Sequence, residues 1–117
     1  PIRDWVDGRA VLLGDAAHPT LQYYAQGACM ALEDAVALSE LIGNNPEDYE
    51  EALLKYRDSR LVRTARIQIG SRQLGDNWFH VDGVHSSLRN EIMSGMSDEE
   101  YYSHLQWLYG YKASLVS

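Results

Sequence analysis

A single cysteine, Cys29, rules out an internal disulfide and leaves no companion thiols for a metal cage. This scarcity fits a reducing, cytoplasmic setting. No apolar run approaches the ~18 residues that a membrane-spanning helix needs. Cations are in short supply: ten Lys and Arg stand against seventeen Asp and Glu, a formal net charge of −7. A surface of that sign argues against nucleic acid or a general phosphate-bearing partner. None of the nine glycines falls into the Gly-x-Gly-x-x-Gly spacing that cradles a dinucleotide phosphate. His80, His85 and His104 lack metal-ligand spacing, so no metal site is expected. Internal repeats and low-complexity segments are absent as well.

What remains is 117 residues that are 45% hydrophobic, enough for one small domain with a real core. The chain opens at Pro1 on what reads as the middle of a fold, and a piece of a longer protein is expected. Ala10-Val11-Leu12-Leu13, after the turn signal Asp7-Gly8, has the form of a short buried strand, parallel and two-faced. Pro19 makes residues 15–24 a loop. From Gly27, the recurrence of Met30, Ala31, Asp34, Ala35, Leu38, Leu41 and Ile42 predicts a helix that Gly43-Asn44-Asn45-Pro46 closes. A second helix is predicted from Asn45-Pro46 toward Gly75, with Tyr49, Ala52, Leu53, Tyr56, Leu61, Ala65 and Ile69 on its apolar positions. A third is predicted over 84–93, and a fourth from the cap Ser97 to Tyr109. The tail after Lys112 carries no pattern. The fold class is thus mostly α: about four helices plus one short strand.

The chemistry-bearing stretch is Gly14-Asp15-Ala16-Ala17-His18-Pro19, followed by Ala25-Gln26-Gly27-Ala28 and Glu33-Asp34. It is a strand, a loop and a helix whose N-terminus faces the loop. A carboxylate at the strand end, Asp15, can accept hydrogen bonds from sugar-like hydroxyls. Small residues at 16 and 17 admit a bulky ligand to the backbone. The N–H groups around Gly27, Ala28 and Cys29 are the unbonded donors of a helix start, where partial positive charge gathers. Such a site favours an anion or an electron-rich carbonyl.

The six-residue run and its downstream spacing resemble the second flavin fingerprint of the para-hydroxybenzoate-hydroxylase-like FAD monooxygenases. The resemblance implies a parent with an α/β FAD-binding fold. Residues 1–44 would be the C-terminal part of its FAD domain, and residues 45–117 a C-terminal helical region. It assigns cofactor contact to Gly14, Asp15, Gly27, Ala28 and Cys29, with Asp15 on the ribityl chain and the helix start facing the pyrimidine edge of the flavin. Glu33-Asp34 also matches the family's pattern on this helix.

Three departures stand out. Gln22 occupies a position where the family usually has Pro; Ala25 replaces a frequent Gly; Cys29 replaces a frequent Asn. With Tyr23 and the Trp107-Leu108-Tyr109-Gly110-Tyr111-Lys112 segment, the sequence is most similar to 3-hydroxybenzoate 6-hydroxylases. These turn 3-hydroxybenzoate into gentisate with NADH and O2 through a flavin C4a-hydroperoxide. By that resemblance Gln22 is the catalytic candidate, bonding the aromatic acid or a site water. The rest of the parent chain is an obligatory partner, a homodimer is expected, and the fragment alone should be inactive. Salicylate and 6-hydroxynicotinate monooxygenases are the neighbouring possibilities, and a standalone helical interaction module is the alternative from another class.

Plainer roles stay open for the same residues. Asp15 can cap a loop, Gln22 can be a loop residue, and Cys29 can be a small packing residue. His18 is expected to be structural, bonded to backbone. The series Arg57, Arg60, Arg63, Arg66 and Arg72 is expected to form ion pairs, and Glu33 and Asp34 to be structural. The aromatic C-terminal third is expected to pack a core or a subunit interface.

Overall fold

The structure, a computed structural model, describes residues 1–113. Four α-helices follow a minimal antiparallel hairpin of β1 (Val6–Asp7) and β2 (Ala10–Val11). The hairpin pairs Val6 with Val11 and Asp7 with Ala10 across the Gly8-Arg9 turn. The parallel four-residue strand expected at Ala10–Leu13 is therefore corrected. The two-residue turn sets the preceding segment alongside it as an antiparallel partner. Beyond Val11 the ladder ends; the Leu12 N–H still reaches the Trp5 carbonyl at 2.9 Å.

Helix α1 covers Gly27–Asn44, as its periodicity predicts. The Asn45 side chain closes it by donating to the Leu41 carbonyl at 2.8 Å. Helix α2 covers Tyr49–Leu74 and starts later than Asn45-Pro46 suggested. The Asp48 carboxylate accepts the Glu51 N–H at 3.0 Å, so Asp48 is the cap, and Pro46-Glu47 form the turn before it. The helix then loosens into a π-helical turn over Gly75–Phe79. Helix α3 spans Gly83–Gly95 and helix α4 spans Asp98–Tyr109. Ser97 caps α4 in a reciprocal box: its hydroxyl accepts the Glu100 N–H, and the Glu100 carboxylate accepts the Ser97 N–H at 2.8 Å. The tail beyond Ala113 lies outside the described residues.

Where length suggested one core, the described chain forms two compact units, Pro1–Arg72 and Gln73–Lys112. In the first, Trp5, Ala17, Ala37 and Tyr56 make the core, with Val6, Val11, Leu38, Leu41 and Leu61 packed against it. The Trp5 ring sits 5.5 Å from the His18 ring and 6.0 Å from that of Tyr56. Each large side chain buried there contributes roughly 1.5–3 kcal/mol. The buried stripe of α2 runs through Leu53, Tyr56, Arg60, Thr64, Ile67 and Ser71, so its second half is largely polar. Ile69 and Tyr49, counted as apolar-face positions in the sequence, are about half exposed.

The second unit holds the π-helical turn, α3 and α4. Arg89 ties α3 to that turn by donating to the Trp78 carbonyl at 2.7 Å. Phe79, Tyr102 and Tyr109 remain exposed. Among the described residues, no helix is long and apolar enough to cross a membrane, and no cluster of His, Cys, Asp or Glu could hold a metal ion.

Candidate functional site

The Gly14–Ala16 segment folds as a 3-10 turn packed against α1. Gly14 adopts φ +60°, and a Cβ there would stand 3.3 Å from the Ala31 Cβ. Only glycine satisfies both the backbone and the approach. The Gly14 carbonyl accepts the N–H groups of Ala17 and His18, and its own N–H donates to Asp34. Gly14 thus shapes the site by conformation, with its polar atoms already engaged.

That turn presents Asp15 at the surface. The Asp15 carboxylate lies 3.9 Å from where a Cβ on Gly27 would be, and the Thr20 methyl lies 3.7 Å from the same point. The strand-end acid and the first residue of α1 are therefore neighbours. Gln26, the N-cap of α1, offers no side-chain hydrogen bond to the helix start. Ala28 and Cys29, in the exposed first turn, follow directly. First-turn N–H groups have no acceptor within their own helix. Gln22 opens a second 3-10 turn, Gln22–Tyr24, and is exposed; Ala25 closes that turn in the left-handed conformation at φ 52°.

Behind this surface lies a buried ionic network. Asp34 is fully buried and accepts three donors: the Gly14 N–H at 3.0 Å, the His18 ring nitrogen Nε2 at 2.5 Å, and Arg60 Nε at 2.7 Å. Arg60, also fully buried, reaches Glu33 at 2.8 Å, and Arg63 meets the other Glu33 oxygen at 2.9 Å. Burial pushes the Asp34 carboxyl up, but the bonds from His18, Arg60 and Gly14 outweigh it and hold the group below the usual carboxylate range. Burial likewise works against the Arg60 charge, and Asp34 and Glu33 more than offset it. Burial, then the nearby Asp34 charge, raises the Tyr56 hydroxyl well above its ordinary value, so it stays neutral.

His18 is thus a structural residue whose side-chain partner is the Asp34 carboxylate and not the expected backbone group. The arginine series splits. Arg60 and Arg63 hold the Glu33-Asp34 pair, whereas Arg57 pairs with Asp58 at the surface. Ser71 and Gln68 belong to no sequence motif. Ser71 donates to the Leu21 carbonyl at 2.6 Å, and Gln68 donates to that of Pro19 at 3.0 Å. Polar letters in the apolar stripe of α2 were the available signal.

The arrangement brings together an exposed carboxylate, an uncapped helix start and a loop bearing a polar side chain, all backed by a buried charged network. Such a surface can hold hydroxyls at one point and a partly negative heteroaromatic edge at another. No protein-family model matches the chain. Individual proteins do. The chain is 50% identical over 111 residues to the 3-hydroxybenzoate 6-hydroxylase 2 of Aquipseudomonas alcaligenes, covering 95% of this chain and 34% of that protein. It is 49% identical to the 3-hydroxybenzoate 6-hydroxylase of Polaromonas naphthalenivorans, again over 95% of this chain but 28% of the relative. The 3-amino-4-hydroxybenzoate 2-monooxygenase of Streptomyces cremeus is 41% identical, over 95% of this chain and 27% of its own length. The chain is similar to these hydroxybenzoate hydroxylases and monooxygenases over nearly its whole length, and it spans about a third or less of the length of these relatives.

Proposed function

We propose that this chain is part of an FAD-dependent monooxygenase that hydroxylates a phenolic aromatic acid, 3-hydroxybenzoate to gentisate, at the expense of NADH and O2. The observation that carries the reading is the contact of the Gly14–Ala16 turn with the start of α1, which sets the Asp15 carboxylate beside Gly27. The two relatives of about 50% identity named 3-hydroxybenzoate 6-hydroxylase support the choice of substrate.

The residues present suit a flavin. Asp15 would accept from ribityl hydroxyls, and the first-turn N–H groups at Gly27, Ala28 and Cys29 would face the pyrimidine edge. Bound and reduced, the flavin supplies the activation of O2. The protein's part is positional and electrostatic. The start of α1 would place partial positive charge beside the edge of a bound flavin that becomes negative on reduction. Gln22, exposed on its turn, would hydrogen-bond the aromatic acid or a site water and orient the ring for attack para to its hydroxyl. The buried network ties the turn that bears Asp15 to α1.

The direct test is the visible absorbance spectrum of the intact parent protein, titrated with phenolic acids. A flavin spectrum that shifts most with 3-hydroxybenzoate supports the reading. A colourless protein that refuses added FAD removes it. Replacing Gln22 with Ala in the parent should uncouple NADH consumption from product formation; unchanged coupling would take Gln22 off the site.

A further inference from the structure

Glycine in a helix interior is disfavoured relative to alanine. Gly70 nevertheless sits four residues before the end of α2. The reason lies across from it. A Cβ at Gly70 would stand 2.8 Å from Tyr24 Cε2 and 3.0 Å from the Tyr24 hydroxyl. The Tyr24 ring rests on the bare Cα of Gly70. One position along the helix, the fully buried Ser71 donates to the Leu21 carbonyl at 2.6 Å. Two positions before Gly70, Gln68 donates to the Pro19 carbonyl at 3.0 Å. Three nearby residues of α2 thus hold three points of one loop.

That loop carries Gln22, which stands between Leu21 and Tyr24. Pins at Pro19 and Leu21 hold the chain just before it, and the Tyr24 ring holds it just after. Immediately downstream, Ala25 takes the left-handed conformation and delivers the chain to α1. Left-handed alanine is uncommon and persists where the surroundings over-determine it. The α2 latch supplies that constraint from the N-terminal side, and the start of α1 supplies it from the other.

We propose that Ser71, with Gly70, is a positioning residue for the hydroxylation step. Ser71 touches neither flavin nor aromatic acid; it fixes the height of the Gln22 turn over the reacting face. The inference rests on the function proposed above and extends it to a part of α2 that no motif marks. Removing the Ser71 hydroxyl leaves the Leu21 carbonyl with only the longer bond from the Thr20 hydroxyl at 3.3 Å, which belongs to the loop itself, and so cuts this tie between the turn and α2. With that tie gone, displaced conformations of the turn become populated. A misplaced turn does not stop flavin reduction. It lets reduced flavin and O2 end in hydrogen peroxide instead of hydroxylated product.

The experiment uses the intact parent enzyme with NADH and 3-hydroxybenzoate. Ser71→Ala and Gly70→Ala are compared with the unaltered protein for bound flavin per chain, NADH oxidation rate, and the fraction of NADH appearing as peroxide. Gly70→Ala is the second arm because alanine favours the helix, so its effect comes from displacing Tyr24 and not from a weakened α2. The expected result is unchanged flavin content, an NADH oxidation rate within about twofold, and a several-fold rise in the peroxide fraction in both variants. Flavin-replete variants that couple as well as the unaltered enzyme would overturn the inference and leave the proposed function standing. A parent that binds no flavin would remove the proposed function itself, and the inference with it.

Discussion

Arg60 donates from Nε to the Asp34 carboxylate at 2.7 Å, with neither side chain exposed to solvent. The pair joins α2 to α1, and Asp34 extends the link to the Gly14–His18 turn through the Gly14 N–H and the His18 ring. Buried pairs are expensive to break from one side, because the remaining charge stays buried without its partner. Asp34→Asn keeps the shape and removes the charge. It should destabilise the fold by about 3–5 kcal/mol, read by denaturant unfolding of the parent protein. A loss under about 1 kcal/mol would mean that the network is not a structural base.

The same carboxylate sets an acid limit. Its folded pKa lies below the ordinary value of 3.8. Its contribution to stability is therefore complete above about pH 4 and is lost as pH falls through the folded value. The unaltered protein should lose stability steeply on this acid limb. Asp34→Asn should flatten that part of the curve, as unfolding midpoints between about pH 2 and pH 5 would register. Identical acid limbs would place the titration elsewhere.

Two turn positions make opposite predictions. At Gly14, a side chain meets both a left-handed backbone and a 3.3 Å contact with Ala31. Gly14→Ala should cost about 1–3 kcal/mol and lower flavin affinity in the parent. At Ala25, which already holds φ 52° with a Cβ in place, glycine relieves the conformation. Ala25→Gly should raise the unfolding midpoint by an amount worth about 0.5–1 kcal/mol. A drop in stability at Ala25→Gly would contradict the assigned backbone.

At the start of α4, Ser97→Ala removes the hydroxyl from the cap and should cost about 1 kcal/mol locally. Faster amide exchange at Glu100 and Tyr101, with little change at α1, is the expected signature. The Glu100 carboxyl is held below its usual range by the bonds from the Ser97 N–H and hydroxyl. Ser97→Ala should move it back up, a shift that NMR titration can follow.

The helices were legible because their signals are local. Periodicity gave α1 its bounds, and Ser97 with Glu100 marked the start of α4. The turn Asp7-Gly8 was legible as a turn, but not as the turn of a hairpin. The run at Ala10–Leu13 reads as buried, but an apolar run does not say which segment it pairs with or in which direction. The start of α2 was misplaced because Pro46 and Asp48 are both good opening residues. The chain used the acid, whose carboxylate meets the Glu51 N–H, and left Pro46 in the turn.

At the site, Gly14-Asp15-Ala16-Ala17-His18 announced itself, and the structure brings Asp15 to Gly27. The partner of His18 could not be read, because Asp34 lies 16 residues further on and only folding joins them. The apolar stripe along α2 holds at Ala52, Leu53 and Tyr56, and its polar continuation was missed for a related reason. Arg60, Thr64 and Ser71 look like surface letters, yet each is buried and each has a bonded acceptor. Pattern alone assigns polar residues to solvent; a partner decides otherwise.

The Gly14 amide proton points at a carboxylate that water does not reach. It can exchange with deuterium only when the turn lifts from α1, so it should be among the slowest to exchange in this part of the chain. A single resonance would then act as a latch indicator. Following it while cofactor is added or stripped would tell whether the cradle is ready-made or closes around its guest.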